Sequence, residues 1–165
     1  MFIGEAILRP VLEIEEVSVP PQMLISDITP ADIEPHAHWL CPHFVDTANG
    51  NCRLSQHAWL IEANGKLIIV DPCVGHQRNR PLLPFYHMID SPLLERLEAL
   101  GVSPERIDYV FCTHLHLDHV GWNTRLKDGR YVPTFPNARY LFARAEDDYW
   151  KRELTGELPN DQMYN

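Results

Sequence analysis

The chain has 165 residues, a length typical of one domain, and we expect a single domain over residues 1–165. Hydrophobic residues make up 45% and charged residues 22%, which is typical of a folded globular protein. With 23 Asp and Glu against 14 Lys and Arg, the formal charge is −9, which argues against nucleic-acid binding, and no stretch approaches the roughly 20 apolar residues of a membrane span.

The cysteines and the start of the chain bear on its compartment. Residues 1–10 contain no basic region followed by an apolar core, so we expect no signal peptide and a cytoplasmic protein. No C-x-x-C pair occurs among the four cysteines, which are Cys41, Cys52, Cys73 and Cys112. An even number permits two disulfides, but without an export signal we expect free thiols.

The first predicted element is a strand followed by an irregular stretch. Residues 11–19 alternate loosely between apolar and polar side chains, as a strand does. Residues 20–56 are rich in Pro, Asp, Asn and Gly and predict an irregular surface segment. Within it, Thr29 as N-cap and Pro30 at the first helical position predict one short helical turn.

A β-hairpin is predicted by two apolar runs, 58–63 and 66–70, joined by Asn64-Gly65. Asn-Gly tolerates the positive φ angles of a two-residue type I′ turn. The second run is nearly all apolar, so we expect it to be buried on both faces, and it ends at Asp71.

Helices and strands alternate in the remainder of the chain. We expect a helix opened by Ser91-Pro92 and stopped by Gly101, a buried strand at 107–112, a turn at Asp128-Gly129, a strand at 138–142 and a helix at 144–154. Residues from 155 onward show no pattern. This order predicts an α/β (α+β) fold, in which a sheet carries helices on one face and forms one layer pair of a larger architecture.

The most distinctive segment follows the strand at 107–112. Three imidazoles and one carboxylate fall within six residues, at His114, His116, Asp118 and His119. In an extended segment His114 and His116 point to the same side and can bind one ion, whereas Asp118 and His119 can converge on a second ion at a turn. A single histidine is usually a packed or surface residue, but this density favours metal. Imidazole and carboxylate suit zinc, and also iron or manganese.

The pattern H-x-H-x-D-H, together with an upstream strand that ends in Asp71, resembles the metallo-β-lactamase superfamily over roughly residues 58–143. The segments 128–133 and 135–138 are similar to the branch that contains lactonases and organophosphate hydrolases. The resemblance implies an αββα sandwich of four layers, built from two similar halves.

The same resemblance implies roles for the residues of the run. His114 and His116 would bind a first zinc ion, Asp118 and His119 a second, and Asp71 would orient these ligands. A metal-bound hydroxide would attack an ester, a lactone or a similar small-molecule substrate. Asp118, the predicted catalytic residue, would position that hydroxide and carry a proton to the leaving group.

The sequence departs from the family in one large respect. The family's second half supplies two more histidines and a bridging aspartate, and this sequence has no histidine after His119. We therefore expect an amino-terminal half with an incomplete site, part of a longer enzyme. One alternative is a non-catalytic half-domain completed by a partner or as a homodimer, because alone it would expose the apolar inner face of its sheet. Another is an iron-dependent redox member of the same fold.

Several other side chains are weaker candidates for the pocket or for metal binding. Those closest to the run or to the hairpin are Trp122, Asn123, His57 and Cys73. For Trp122 a core role and a pocket role are equally open, whereas Cys73 is expected to be a buried, inert thiol. His36, His38 and His43 are expected on a surface loop or pocket rim, although His36-x-His38 could bind a metal ion. A solvated loop is the default interpretation for His76, residues 77–80 and His87.

Overall fold

The computed structural model describes residues 1–154, and it divides into two compact units. The first unit combines Met1–Glu13 with the chain from His57 onward, and the second is Ile14–Gln56. The patternless stretch expected from residue 155 lies outside the described residues. The single-domain expectation stays a prediction.

The strands of the described part form one large sheet and one small one. They are β1 (Phe2–Ile3), β2 (Ala6–Val19), β3 (Cys52–Ala63), β4 (Lys66–Val70), β5 (Tyr109–Phe111), β6 (Thr124–Lys127), β7 (Arg130–Pro133) and β8 (Arg139–Leu141). The large sheet has the order β1-β2-β3-β4-β5-β8, and β6 pairs with β7 in the small sheet. β4, β5 and β8 are parallel, so their carboxyl ends lie at one edge.

The helices of the described part are mostly short. They are α1 (Pro30–Ile33), α2 (Ala37–Leu40), α3 (Leu93–Ala99), α4 (Leu117–Val120) and α5 (Arg144–Leu154), with 3₁₀ turns at Pro21–Met23, Glu34–His36, Pro104–Arg106 and Gly121–Asn123. None of these helices combines the length and the apolar character that crossing a membrane requires.

The predicted hairpin is confirmed, because β3 and β4 pair antiparallel and meet at Asn64-Gly65. Both turn residues have positive φ angles, 50° and 70°, as a type I′ turn requires. The strand at 58–63 is longer than expected, since β3 begins at Cys52. The predicted α/β (α+β) fold is also confirmed, since helices accompany a sheet that contains both parallel and antiparallel strands.

The core of the first unit lies between the sheet and α3. Leu60, Ile69 and Val110 from three neighbouring strands are fully buried and belong to one cluster with Leu93 and Leu97 of α3. Each fully buried side chain of this kind contributes about 1.5–3 kcal/mol.

The expectation that 66–70 is buried on both faces is wrong, and the strand expected at 107–112 is buried on one face only. In β4, Ile69 is buried whereas Ile68 and Val70 are only half-buried. In β5, Val110 is buried whereas Phe111 is 42% exposed. The physical reason is that successive side chains of a strand point to opposite faces, and the core with α3 covers only one of them.

The second unit contains the segment that was expected to be irregular. Its short helical turns include α1, which begins after Thr29 with Pro30 at its first position, as predicted. The Asp32 carboxylate accepts the Thr29 N–H at 2.9 Å, which completes a capping box.

Candidate metal centre

The H-x-H-x-D-H run lies at the edge where two neighbouring parallel strands end. β4 is followed by Asp71, and β5 ends at Phe111, two residues before Thr113. The Asp71 N–H donates to the Phe111 carbonyl at 2.9 Å, so the two strand ends are bonded directly. The fold therefore places Asp71 beside the start of the run.

His114 and His116 are expected in an extended segment at the carboxyl end of the strand; β5 ends at Phe111, and both histidines follow it in a bend and a loop that lead into α4. Their rings nevertheless approach to 4.5 Å between centroids, at an interplanar angle of 80°. The His114 ring also lies 3.9 Å from that of His119. The turn into α4 thus gathers the three imidazoles.

Asp71 organises the beginning of the run. Its Oδ1 accepts the Thr113 N–H and its Oδ2 accepts the Thr113 hydroxyl, both at 2.7 Å. The same Oδ2 lies 3.1 Å from Nδ1 of His119. Burial alone would raise the pKa of Asp71, but these donors outweigh it and lower the pKa below the ordinary value. Asp71 is therefore an anchored carboxylate.

His119 lies between two carboxylates. Its Nε2 is 3.4 Å from Oδ2 of Asp118, and its Nδ1 faces Asp71. The Nδ1 contact is close but poorly directed for a hydrogen bond, since this buried nitrogen has no hydrogen-bond partner among the described residues. Burial lowers the pKa of His119, and the two carboxylates more than offset it, so the net effect raises the pKa to about 9.

This shift predicts how stability depends on pH in metal-free protein. A histidine whose folded pKa is raised from 6.5 to about 9 contributes stability that is complete below pH 6.5 and is lost as the pH rises through 9. Urea unfolding of chelator-treated protein at pH values from 6 to 9.5 should show that loss. In His119→Gln the loss over this window should shrink, and an unchanged profile in that variant would contradict the assignment.

The surroundings of His116 shift its pKa in the opposite direction to that of His119. Burial, followed by the nearby His114, lowers the pKa of His116, which favours the neutral imidazole that a metal ion requires. α5 supports this part of the run. The Glu146 carboxylate accepts the Leu115 N–H at 3.1 Å, and the Trp150 ring lies 5.9 Å from that of His116.

The possible metal ligands of the run occur as pairs rather than as larger groups. Within residues 1–154, no group of three or more His, Cys, Asp or Glu side chains is placed to hold a single ion. Two ligands of a tetrahedral zinc ion lie about 3.3 Å apart. The 3.4 Å between Nε2 of His119 and Oδ2 of Asp118 matches that separation. The donor types and this spacing are compatible with zinc.

The loop 71–75 is clamped against the segment that follows the run. Three of its five residues have positive φ angles, between 48° and 92°. Its carbonyls at Pro72 and Cys73 accept the N–H groups of Trp122 at 2.9 Å and Gly121 at 2.6 Å. The loop that carries Asp71 and the helix that carries Asp118 are thereby held together.

Two arginines strengthen the clamp, and the expectation that residues 77–80 are a solvated loop is wrong for them. The Arg80 guanidinium donates to the carbonyls of Val74 at 2.7 Å and Leu117 at 3.0 Å. Arg78 donates to the carbonyls of Gly121 and Thr124, at 2.5 and 2.6 Å. The local sequence carries no signal for these contacts, because the acceptors are backbone carbonyls, and all of them except that of Val74 lie more than 35 residues away.

A buried carboxylate that the sequence did not single out lies behind the clamp. Glu13 is 4% exposed and accepts hydrogen bonds from the Val74 N–H, the Gly75 N–H, the Ser91 hydroxyl and the Trp122 indole. Burial raises the pKa of Glu13, and the four donors oppose that rise. It joins the first unit's β2 residues to the loop, to the start of α3 and to the segment after the run.

The remaining candidates lie in varied surroundings. Trp122 and Cys73 are 5% and 1% exposed, and burial raises the pKa of the Cys73 thiol. Asn123 is half-buried with its amide nitrogen 3.4 Å from the Cys112 sulfur, and the His57 ring packs at 5.2 Å against a tryptophan ring of β3. A pocket role for these four stays a prediction.

All four cysteines are free, as expected. The five histidines assigned to loops are exposed, at positions 36, 38, 43, 76 and 87.

Parts of this chain are similar in sequence or in structure to known proteins. The N-acyl homoserine lactonase AttM of Rhizobium johnstonii is 37% identical over 60 residues, which are 36% of this chain and 19% of that protein. The solved structure of the hydrolase AbOPH, described as belonging to the beta lactamase superfamily, is 26% identical with a TM-score of 0.69 over 99% of this chain and 50% of that one.

A third relative shows the same fold at lower identity. AidC, a dizinc quorum-quenching lactonase solved with the product N-hexanoyl-L-homoserine, is 19% identical with a TM-score of 0.67, over 91% of this chain and 46% of that one. The chain thus spans about half the length of these solved relatives. The family model for the metallo-beta-lactamase superfamily matches residues 53–162. The chain therefore belongs to the metallo-beta-lactamase superfamily.

Proposed function

We propose that this chain carries the first half of the active site of a metal-dependent hydrolase that acts on lactones or similar esters. The observation that carries the proposal is the cluster of His114, His116, Asp118 and His119 around the anchored Asp71. Family membership and the likeness to AttM support the hydrolase class and the lactone substrate.

In this proposal His114 and His116 hold one zinc ion, and Asp118 and His119 hold a second. The ions would make a nucleophile from water at neutral pH and polarise the scissile carbonyl. Asp71 lies 3.1 Å from Nδ1 of His119, and Nε2 of that ring lies beside Asp118, where it would bind the metal ion. Asp118 is the proposed acid and base, holding a proton at its carboxylate and returning it to the leaving oxygen.

The site is proposed to be incomplete in these 165 residues. Within residues 1–154 the possible donors form no group of three, which supports this, since a catalytic zinc site usually has three protein ligands. We expect the chain to bind zinc weakly and to hydrolyse an N-acyl homoserine lactone at a rate near background.

Competition with a chromophoric chelator measures the zinc affinity, and a pH indicator follows lactone opening. His116→Ala should weaken zinc binding about tenfold or more, whereas His36→Ala, which removes an exposed histidine of the second unit, should leave it unchanged. Equal losses in both variants would contradict the metal assignment. Rapid lactone turnover by the 165-residue chain, abolished by His116→Ala, would overturn the incomplete-site proposal while supporting the enzyme class.

A second candidate function is association of a non-catalytic half-domain. The observation that favours it is the open face of the sheet, where Phe111 and Leu141 are neighbours in register and are 42% and 44% exposed. Soluble proteins usually cover contiguous apolar patches of this kind. Light scattering of the purified chain tests it, because a stable dimer would support association and a monomer would exclude self-association.

A further inference from the structure

The Thr113 hydroxyl lies between the Asp71 carboxylate and the His114 ring. Its Oγ1 is 2.7 Å from Oδ2 of Asp71 and 3.0 Å from Nδ1 of His114. We propose that Thr113 is a positioning residue, which fixes His114 in the tautomer that carries its proton on Nδ1 and so leaves Nε2 free to bind the metal ion. This inference rests on the proposed metal site.

The tautomer follows from counting protons. A carboxylate can only accept, so the single hydroxyl proton of Thr113 goes to Asp71. The hydroxyl oxygen then has only lone pairs left for the His114 contact. Nδ1 of His114 must therefore be the donor, and a neutral ring with its proton on Nδ1 has its lone pair on Nε2.

Asp71 thus acts on two histidines through one oxygen. It faces Nδ1 of His119 directly at 3.1 Å and reaches Nδ1 of His114 through the Thr113 hydroxyl. In metal sites, a partner on one ring nitrogen sets the orientation of the ligand and the basicity of the other nitrogen. Here a single carboxylate lies beside Nδ1 of two rings, directly for His119 and through the Thr113 hydroxyl for His114, and each ring is a proposed ligand of a different ion.

The Thr113 hydroxyl can be removed by substitution without removing the hydrogen bond that its backbone N–H makes. Thr113 is exposed, and its N–H holds Oδ1 of Asp71 independently of the side chain. Thr113→Val keeps the shape and the backbone bond but removes the hydroxyl. Thr113→Ser keeps the hydroxyl and serves as the matched control.

Two measurements test the proposal on the full 165-residue chain. Long-range ¹H–¹⁵N correlation spectra of metal-free protein, at a pH where His114 is neutral, should show the His114 proton on Nδ1 in the wild type and in Thr113→Ser. In Thr113→Val this preference should be lost. Zinc competition should show affinity 10–100-fold weaker for Thr113→Val and within about threefold of wild type for Thr113→Ser.

The outcomes separate this inference from the proposed function. A wild-type His114 with its proton on Nε2, or a Thr113→Val spectrum and zinc affinity like those of wild type, would overturn the role of Thr113. Absence of zinc binding by the wild type, with the Nδ1 tautomer present and lost in Thr113→Val, would overturn the metal site while retaining the hydrogen-bond relay.

Discussion

Gly121→Ala is expected to lower the free energy of unfolding by more than about 3 kcal/mol. A Cβ atom at this position would lie 1.8 Å from the Val74 carbonyl oxygen and 1.9 Å from its carbon, and 2.5 Å from the Gly75 nitrogen. These atoms are backbone, so no side chain can rotate away. The loop that follows Asp71 would have to move, breaking the 2.6 Å bond from the Gly121 N–H to Cys73.

Urea denaturation measures this loss, and Gly129→Ala is the matched control. Gly129 has a positive φ of 75° but open space around its Cβ position, so its substitution adds only backbone strain of about 1–2 kcal/mol. Equal stabilities for the two variants would show that the loop 71–75 is not packed against Gly121.

Glu13→Ala is expected to lower the free energy of unfolding by about 3–5 kcal/mol, because the Val74 and Gly75 N–H groups and the Ser91 hydroxyl lose their acceptor and the Trp122 indole keeps only the Ser91 oxygen. Glu13→Gln retains one acceptor oxygen but turns an amide donor toward the same N–H groups, and should cost about 1–3 kcal/mol. Thermal and urea unfolding measure both variants. The loss of unfolding free energy should exceed the loss caused by replacing any single exposed carboxylate with alanine.

Glu15 lies two residues along the same strand and is exposed, so Glu15→Ala provides the control. Glu15→Ala is expected to change the free energy of unfolding by no more than about 0.5 kcal/mol. If Glu13→Ala lowered the free energy of unfolding no more than Glu15→Ala does, the Glu13 carboxylate would not be the shared acceptor for the N–H groups of the loop and for the indole.

The features that sequence reasoning predicted well are local. Asn64-Gly65 specifies its turn through the two residues' own φ preferences, and the hairpin formed as expected. The short helix α1, with Thr29 as its N-cap and Pro30 at its first position, also formed as expected. In each case the determining interactions lie within about ten residues.

The features it missed depend on contacts across the chain. Alternation within 11–19 puts Glu13 on the same face as Val11, but only the arrival of Val74, 61 residues away, makes that carboxylate an acceptor. Arg80 reaches the Leu117 carbonyl, 37 residues on. The exposure of Phe111 likewise depends on what covers the sheet, which a strand's own sequence does not specify.

The bond between Glu13 and the Trp122 indole has a consequence for the order of folding. It joins residues 109 positions apart, and contacts of such separation are entropically costly to close and form slowly. The β3–β4 hairpin and the turn into α4 can form from neighbouring residues within microseconds. During synthesis, β2 leaves the ribosome well before Trp122, and its carboxylate meets the indole only after the chain between them, a separation of 109 positions, has been made. The region around the histidines therefore acquires its final arrangement late, when β2 and the segment after the run come together.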